Sequence, residues 1–457
     1  STGAFVADFD GDTDLDYAIA NRNGDSVSVY YNDGFGVFEN HQDFLTGNNP
    51  RYVEGHDFDG DGDVDLCTPD YYGMTTTLLE NDGNGNFSIS QQFEMFTPAF
   101  VWIDDLDLDG NKDLITLEWD DEVEGEPHQS PGKVTPLYSN GDGTFELGAS
   151  AYIGVQPRGA DSGDLNGDGL IDVVVADIYS RTISIVLAKG VRTWQESVQI
   201  SMFPGTPRYI SLGDFDEDGD LDIAALDKLG DIFWILANDG QANFTLVEEV
   251  HVNDAPHSME IIDVEGDGDL DFVVSHVGSI VQLILYNDGL GQIESMQGLI
   301  IPGGAAEIKL ADFNLDGMFD ILTANIDNSH PGSSVLLQQE CLTCDGGEPC
   351  PPSVNDIVIF TDSFTTIDIQ LEGETSSNNQ LQYFLTSLPS SGALKDSKGD
   401  DIDFVPYYLP TDTLQYIPVN GFVGVVTFDY FANDCLLSNQ GLTKLYVDPV
   451  YPDECDE

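Results

Sequence analysis

The sequence predicts an all-β protein, a seven-bladed β-propeller followed by a β-sandwich. An acidic motif recurs seven times over the first three quarters of the 457 residues. Each copy is flanked by short runs rich in β-branched and aromatic residues, the composition of strands. After about residue 340 the motif stops, and a Cys/Gly/Pro-rich stretch leads into a second set of strand-like runs.

The motif begins at Asp8, Asp57, Asp105, Asp164, Asp214, Asp263 and Asp312, at intervals of 49, 48, 59, 50, 49 and 49 residues. An apolar run leads in, as in "AFVADF" or "YISLGDF". A second run follows the acids, for example "DYAIAN" or "DVVVAD", and a third, such as "SVSVYYN" or "VQLILYN", ends in a turn. The turns are Asn-Asp-Gly at Asn32, Asn81, Asn238 and Asn287, with a variant at Asn140-Gly141. Asn and Gly accept the positive φ such hairpins need. A fourth run often opens with an aromatic: Phe38, Phe87, Phe145, Trp194 or Phe244. Four strands per unit, repeated seven times, is the propeller pattern. A solenoid is the alternative, but it needs terminal capping repeats and none is visible. The seventh unit lacks a turn and a fourth run after "SSVLLQQ". Its last blade has three strands, or residues upstream of Ser1 complete it, or another chain supplies the strand to the open edge.

Within each motif, acids alternate as oxygen donors would around calcium, which takes six to eight hard ligands. Side chains at positions 1, 3, 5 and 9, a carbonyl at 7 and Gly at 6 wrap one ion. The ligand sets are Asp8, Asp10, Asp12 and Asp16; Asp57, Asp59, Asp61 and Asp65; Asp105, Asp107, Asp109 and Asp113; Asp164, Asn166, Asp168 and Asp172; Asp214, Asp216, Asp218 and Asp222; Asp263, Glu265, Asp267 and Asp271; and Asp312, Asn314, Asp316 and Asp320. One such loop alone is as readily a solvated turn. Seven in register are not, because clustered carboxylates repel without a cation. The cofactor expected is structural calcium, up to seven ions. Thr13 in place of Gly and the longer Glu265 mark two weaker sites.

The chain carries 83 acidic and 14 basic residues, a net charge of −69. That excludes a nucleic-acid binder working through a basic surface, and docking on an anionic membrane. With 41% hydrophobic and 10% aromatic residues it has material for cores and is no disordered acidic tail. No apolar stretch approaches a membrane-spanning helix. The ligand sets hold 26 of the acids, and the rest still outnumber the bases by 43. This reads as a solvated surface suited to salty or calcium-rich surroundings. Cys67 reads as a buried thiol. Cys341, Cys344, Cys350, Cys435 and Cys455 read as an extracellular disulfide cluster, with one odd thiol left free or bridging to another chain.

The segments "DFDGDGDVDL", "DFDEDGDLDI" and "NDGNGNF" resemble the FG-GAP/VCBS repeats of integrin-α-like propellers over about residues 1–340. The resemblance implies seven blades, with calcium in the loop between the first two strands of each. It also implies secretion or surface display, and a role in adhesion, recognition or polysaccharide handling.

A second pattern precedes several first strands: Pro50-Arg51, Pro157-Arg158, Pro207-Arg208 and Pro256-His257. Three of only six arginines recur at one blade position. Equivalent positions in a propeller form a ring, so Arg51, Arg158, Arg208 and His257 are candidates for an anion-binding rim taking a uronic acid or a carboxylate side chain. The favoured reading is plainer: each Arg pairs with an acid of a neighbouring blade, near Glu54 or Glu260.

Residues 341–352 form a linker, 353–449 a second domain and 450–457 an acidic tail. The runs "TTIDIQL", "QLQYFLTSLP", "DTLQYIPV", "GVVTFDYFAND" and "TKLYVDP" read as strands of a β-sandwich. The domain resembles bacterial Ig-like or cadherin-like modules, without the cadherin calcium ligands. No His-Glu-x-x-His, Gly-x-Ser-x-Gly or P-loop motif is present, and the chain is read as no enzyme. The expected function is that of a secreted or cell-surface, calcium-stabilised structural or adhesion protein, a self-assembling subunit of an extracellular fibre or matrix. Its expected partners are other copies of itself or other surface proteins, with no nucleic acid and no membrane insertion. A glycan-binding module using the arginine ring is the alternative, and a polysaccharide-degrading enzyme a weaker one.

Overall fold

The computed structural model describes residues 3–336 apart from 39, 120–129, 280, 302–303, 316–318 and 326–331. Beyond these it describes 353–354, 357–362, 366–371, 373–374, 382–385, 389, 391–399, 401–402, 407–409, 411–419, 424–433 and 441–448. The described residues are strands and turns without a helix, and none forms a helix long and apolar enough to cross a membrane. Contacts divide the chain into two compact units, Ser1–Leu337 and Gln338–Glu457.

Among the described residues the first unit is a succession of seven main antiparallel sheets in chain order, with a two-stranded ribbon beside the fourth. Their first strands are Ala4–Ala7, Glu54–His56, Pro98–Asp104, Pro157–Gly163, Pro207–Gly213, Pro256–Ile262 and Ala305–Ala311. Each pairs with a second strand opening on an Asp: Asp16–Asn21, Asp65–Asp70, Asp113–Glu118, Asp172–Asp177, Asp222–Asp227, Asp271–His276 and Asp320–Asn325. A third and, in the first six sheets, a fourth strand follow, and in the third sheet the short strand Ala151–Tyr152 also pairs with the third strand. Among the described residues the seventh sheet has three strands, ending with Gly332–Leu336.

Burial follows this order. All six residues of the second strand Asp222–Asp227 are buried, whereas the fourth strand Phe244–His251 alternates exposed and half-buried residues. That is why the second runs read as near-continuous apolar stretches and the fourth as mixed ones. The first strands pack against one another around the unit, and that of the seventh sheet packs against that of the first. Two glycines permit this approach. A Cβ on Gly3 would come within 2.7 Å of the Tyr52 Cα, and one on Gly159 within 3.0 Å of the Tyr209 Cα.

The apolar cores lie between neighbouring sheets. Phe215 and Phe272 of the fifth and sixth pack with tilted rings, centroids 4.8 Å apart, inside a cluster with Phe233, Leu226, Val274 and Leu285. Tyr17 and Ile19 of the first sheet share another cluster with Phe313 and Leu322 of the seventh. A polar tie repeats the same geometry. The Asn that starts each Asn-Asp-Gly turn donates from Nδ2 to a carbonyl in the acidic loop of the preceding sheet. Asn81 reaches Phe9 O at 2.9 Å, Asn238 Leu165 O at 2.9 Å and Asn287 Phe215 O at 2.9 Å. Asn32 makes the identical tie back to Phe313 O of the seventh sheet, at 2.7 Å. First and last sheets are thus joined like any other neighbours, as in a propeller-like ring and not in an open solenoid.

Two local expectations differ. Phe38 lies just before its fourth strand, Asn40–Leu45. Trp194 sits outside the fourth strand of its sheet, which is Val198–Ser201, and pairs instead in a ribbon with Ala188–Gly190.

In the second unit, one sheet runs in the order Ile357–Asp362, Gly441–Asp448, Gly424–Asn433, Gln382–Leu385, Tyr407–Tyr408. The other runs Ile367–Gln370, Thr413–Ile417, Ala393–Asp396, Asp401–Ile402. All pairs are antiparallel except Ile357–Asp362 with Gly441–Asp448, which is parallel. Ile369, Leu394, Leu414 and Tyr416 from one sheet and Leu385, Phe428 and Tyr430 from the other are buried. The linker 341–352, the tail 450–457 and the five late cysteines lie outside the described residues. Cys67 is buried and free.

Candidate functional site

Each acidic loop connects the first and second strands of its sheet, and the second copy shows how it is wound. Asp57 accepts from Gly60 N at 2.8 Å and from Gly62 N at 3.0 Å. Asp59 accepts from Asp61 N at 3.1 Å, and Asp61 from Asp63 N at 3.0 Å. The tight turn needs a positive φ at position 6, 102° at Gly62, and Thr13 in the first copy takes 80°. That is an outlier for a β-branched residue.

The winding turns carboxylates toward one point. Oxygens of Asp57, Asp59 and Asp61 lie within 4.8 Å of one another, as do those of Asp8, Asp10 and Asp16, of Asp105, Asp107 and Asp113, and of Asp214, Asp216 and Asp218. Two ligands across a calcium ion at about 2.4 Å would stand at this spacing. The donors are all hard oxygens, and Asp214 Oδ1 is buried without a hydrogen-bond partner. The donor set therefore fits a hard divalent cation. Burial and neighbouring acids push the Asp10 and Asp216 carboxyls up, a repulsion that a cation would relieve.

The remaining copies differ. Asn166 and Asn314 replace a carboxylate in the fourth and seventh, and Asp316 lies outside the described residues. Asp164 and Asp168 keep the loop's backbone bonds, Asp164 Oδ2 accepting from Gly169 N at 2.8 Å and Asp168 Oδ1 from Leu170 N at 2.9 Å. Asp312 heads the seventh loop. In the sixth copy Asp263 accepts from Gly266 N and Gly268 N, and Asp267 from Asp269 N. Burial, Asp271 and Asp267 push Glu265 up to about 7.

The ninth-position acids do more than the spacing indicated. Asp65 accepts from Phe58 N at 3.2 Å through one oxygen and from Asn81 N at 2.9 Å through the other. Asp16, Asp172, Asp222 and Asp271 repeat the pair. Asp113 does so with Leu106 N and Ser139 N, and Asp320 accepts from Phe313 N at 2.9 Å. The six acids with both donors clamp their loops to the end of the third strand or to the residues just after it. Burial raises Asp16 to about 7 and Asp222 to about 6, against the pull of those two backbone donors.

At the other end of the first strands a cavity of about 420 Å³ opens, lined by Arg51, Arg158, Arg208 and His257 together with Arg22, Lys228 and Glu307. Arg158 is six residues before Asp164, so cavity and acidic loop are about 20 Å apart along the strand. A bulge repeats where these side chains leave the strand. The register shifts between Pro157 and Gly159, between Pro207 and Tyr209, and between Pro256 and Met259. Such bulges re-aim a side chain out of the ladder. The residue following four of the second strands supplies the rest: Arg22, Lys228, and the aromatic plates Tyr71 and Trp119. The Arg51 guanidinium lies 3.3 Å from the Tyr71 ring centre and that of Arg158 3.8 Å from Trp119, a favourable cation–π stacking. Trp119 is itself fixed by donation to Pro157 O at 2.6 Å.

Glu260, expected to serve a rim arginine, pairs with a lysine, Lys309, at 2.7 Å, and Glu307 lies 3.8 Å from the same lysine while accepting from the Tyr52 hydroxyl. Among the described residues no carboxylate lies within ion-pair distance of Arg158 or Arg208, and the Nε of each is buried without a partner. Arg208 contacts His257 Nε2, whose ring burial and Arg208 keep neutral. Alignment of the repeats could have found Arg22 and Lys228, since both stand one residue after the second strand. Residues 120–129, which belong to the longer interval between the third and fourth motifs, lie outside the described residues.

The FG-GAP-like repeat model matches residues 8–68, 105–175, 164–225 and 214–274, together just over half of the chain. The chain belongs to the FG-GAP-like repeat family. Among solved structures, BBS1N in complex with ARL6DN is 10% identical with a TM-score of 0.53, over 75% of this chain and 94% of that one. This FG-GAP-repeat chain shares its fold. Looser likenesses are the Pseudomonas aeruginosa periplasmic gluconolactonase PpgL (15% identity, TM-score 0.46, 70% of this chain and 88% of that one) and the V. cholerae biofilm matrix protein Bap1 (11%, 0.39, 73% and 87%). No curated protein matches the chain.

Proposed function

We propose that this chain is an extracellular or cell-surface scaffold, a seven-bladed propeller stiffened by up to seven calcium ions and carrying an Ig-like sandwich. It acts as a structural or adhesive subunit, without catalysis, that contacts further copies of itself or other surface proteins. The observation that carries the reading is the convergence of acidic oxygens to within 4.8 Å in four FG-GAP loops. Such clusters cost stability when empty and rigidify the loops when filled. The third strand of the seventh sheet, Gly332–Leu336, supports self-association, since it ends its sheet among the described residues and an edge strand is a template for pairing.

Sedimentation velocity of the full chain in millimolar calcium and in chelator tests both parts. Large assemblies in calcium that dissociate in chelator are the expected result. A compact monomer whose thermal midpoint does not move on chelation would end the calcium reading. A monomer that loosens on chelation would end self-assembly and leave the metal's structural role.

A further inference from the structure

We propose that the cavity at the start of the first strands binds a compact oxyanion ligand carrying two or more negative charges. The argument is one of charge placement. Of the 14 bases in a chain with 83 acids, five converge here: Arg22, Arg51, Arg158, Arg208 and Lys228. The single carboxylate among the lining residues is Glu307, which pairs with Lys309 and Tyr52 and favours the charge on Arg208 only from beyond ion-pair distance. Arg158 and Arg208 keep buried Nε donors that nothing among the described residues satisfies. Cations drawn from water without a counter-charge are strongly unfavourable. An anionic ligand resolves this, and a neutral or cationic one does not.

The site is also shaped for the task. Guanidinium groups present paired N–H donors that match carboxylate, sulfate or phosphate oxygens two at a time. Tyr71 and Trp119 hold Arg51 and Arg158 flat from behind, so little side-chain freedom is lost when a ligand binds. A volume of about 420 Å³ admits a small dicarboxylate or one acidic sugar with several waters. Mutual repulsion is visible in the titration behaviour. Burial, Arg208 and Arg51 lower Arg158, and burial with Arg208 and Arg158 brings Lys228 down to about 8. The same oxyanion chemistry occurs free in solution or at the end of an acidic polysaccharide. The inference does not depend on the calcium reading.

Calorimetric titration of the full chain in sub-millimolar calcium, with sulfate, succinate and digalacturonate as separate probes, tests it. At least one should bind once per chain with a Kd below about 1 mM. Digalacturonate binding tighter than succinate assigns the site to a sugar-borne acid, and the reverse order to a free small acid. Arg158→Gln and Arg208→Gln should each weaken binding at least tenfold, while Lys189→Gln, which does not line the cavity, leaves it unchanged. Failure of all three probes to bind overturns the proposal, as does unaltered binding by the two arginine variants. The wild-type titration decides even if a variant does not fold.

Discussion

Thr13 shows what a single side chain costs at a loop position where the other six copies carry glycine. Its φ of 80° lies where Cβ crowds the backbone, a strain of about 1–3 kcal/mol. Glycine would remove the strain but add about 0.4–1 kcal/mol of unfolded-chain entropy. Thr13→Gly should therefore stabilise the protein by about 1 kcal/mol. Urea unfolding in calcium and in chelator should show the gain in both, and no gain in either would show that the loop is unstrained. The ninth-position acids make a related point. Their spacing from the other acids marked them as ligands, because alternation along a short loop is visible in a sequence. Their second role was hidden. Asp222 takes one donor seven residues before it and another sixteen after, Asn238 N, and the latter pairing exists only once the third strand has folded back.

At the scale of strands and turns, the Asn-Asp-Gly signal was legible as a hairpin but not as a joint between sheets. Asn287 is buried, and its Nδ2 is the partner of Phe215 O in the preceding loop. Asn287→Ala would remove one of two donors to that carbonyl, Gly291 N at 2.9 Å remaining, and should cost about 1 kcal/mol. Denaturant unfolding checks this, and a loss below about 0.5 kcal/mol would mean water replaces the amide. The fourth sheet shows why strand content outran strand position. Its hairpin lacks the Asn-Asp-Gly turn, and long-range contacts decide its course. Arg192 reaches Asp107 at 2.6 Å and Glu146 at 3.1 Å, and Trp194 donates to Ala149 O at 3.1 Å. These hold the ribbon against the third sheet and postpone the outer strand to Val198. Local propensity carries no trace of such partners.

For the molecule as a whole, the repeat announced the ring, while the fate of the arginines depended on which side chains meet across it. Buried acids away from the loops also set how stability responds to pH. Burial raises Asp177 to about 7 and Glu307 to about 8, against about 4 unfolded. An acid with a raised folded pKa favours the folded state at low pH, and that contribution is lost as pH rises through the folded value. In saturating calcium, stability should fall between pH 5 and 8, by about 1.4 kcal/mol per pH unit for each acid still protonated only in the folded state. Asp177→Asn should make the slope shallower, and a rise over the same range would contradict these assignments. The placement of charge has a kinetic side too. A chain of net charge −69 repels anions from its surface, while five cations wait inside. An approaching anion meets a barrier before it meets a well. Because salt screens charge over about 8 Å at physiological strength, added salt would lower the outer barrier and speed arrival, the reverse of ordinary electrostatic steering.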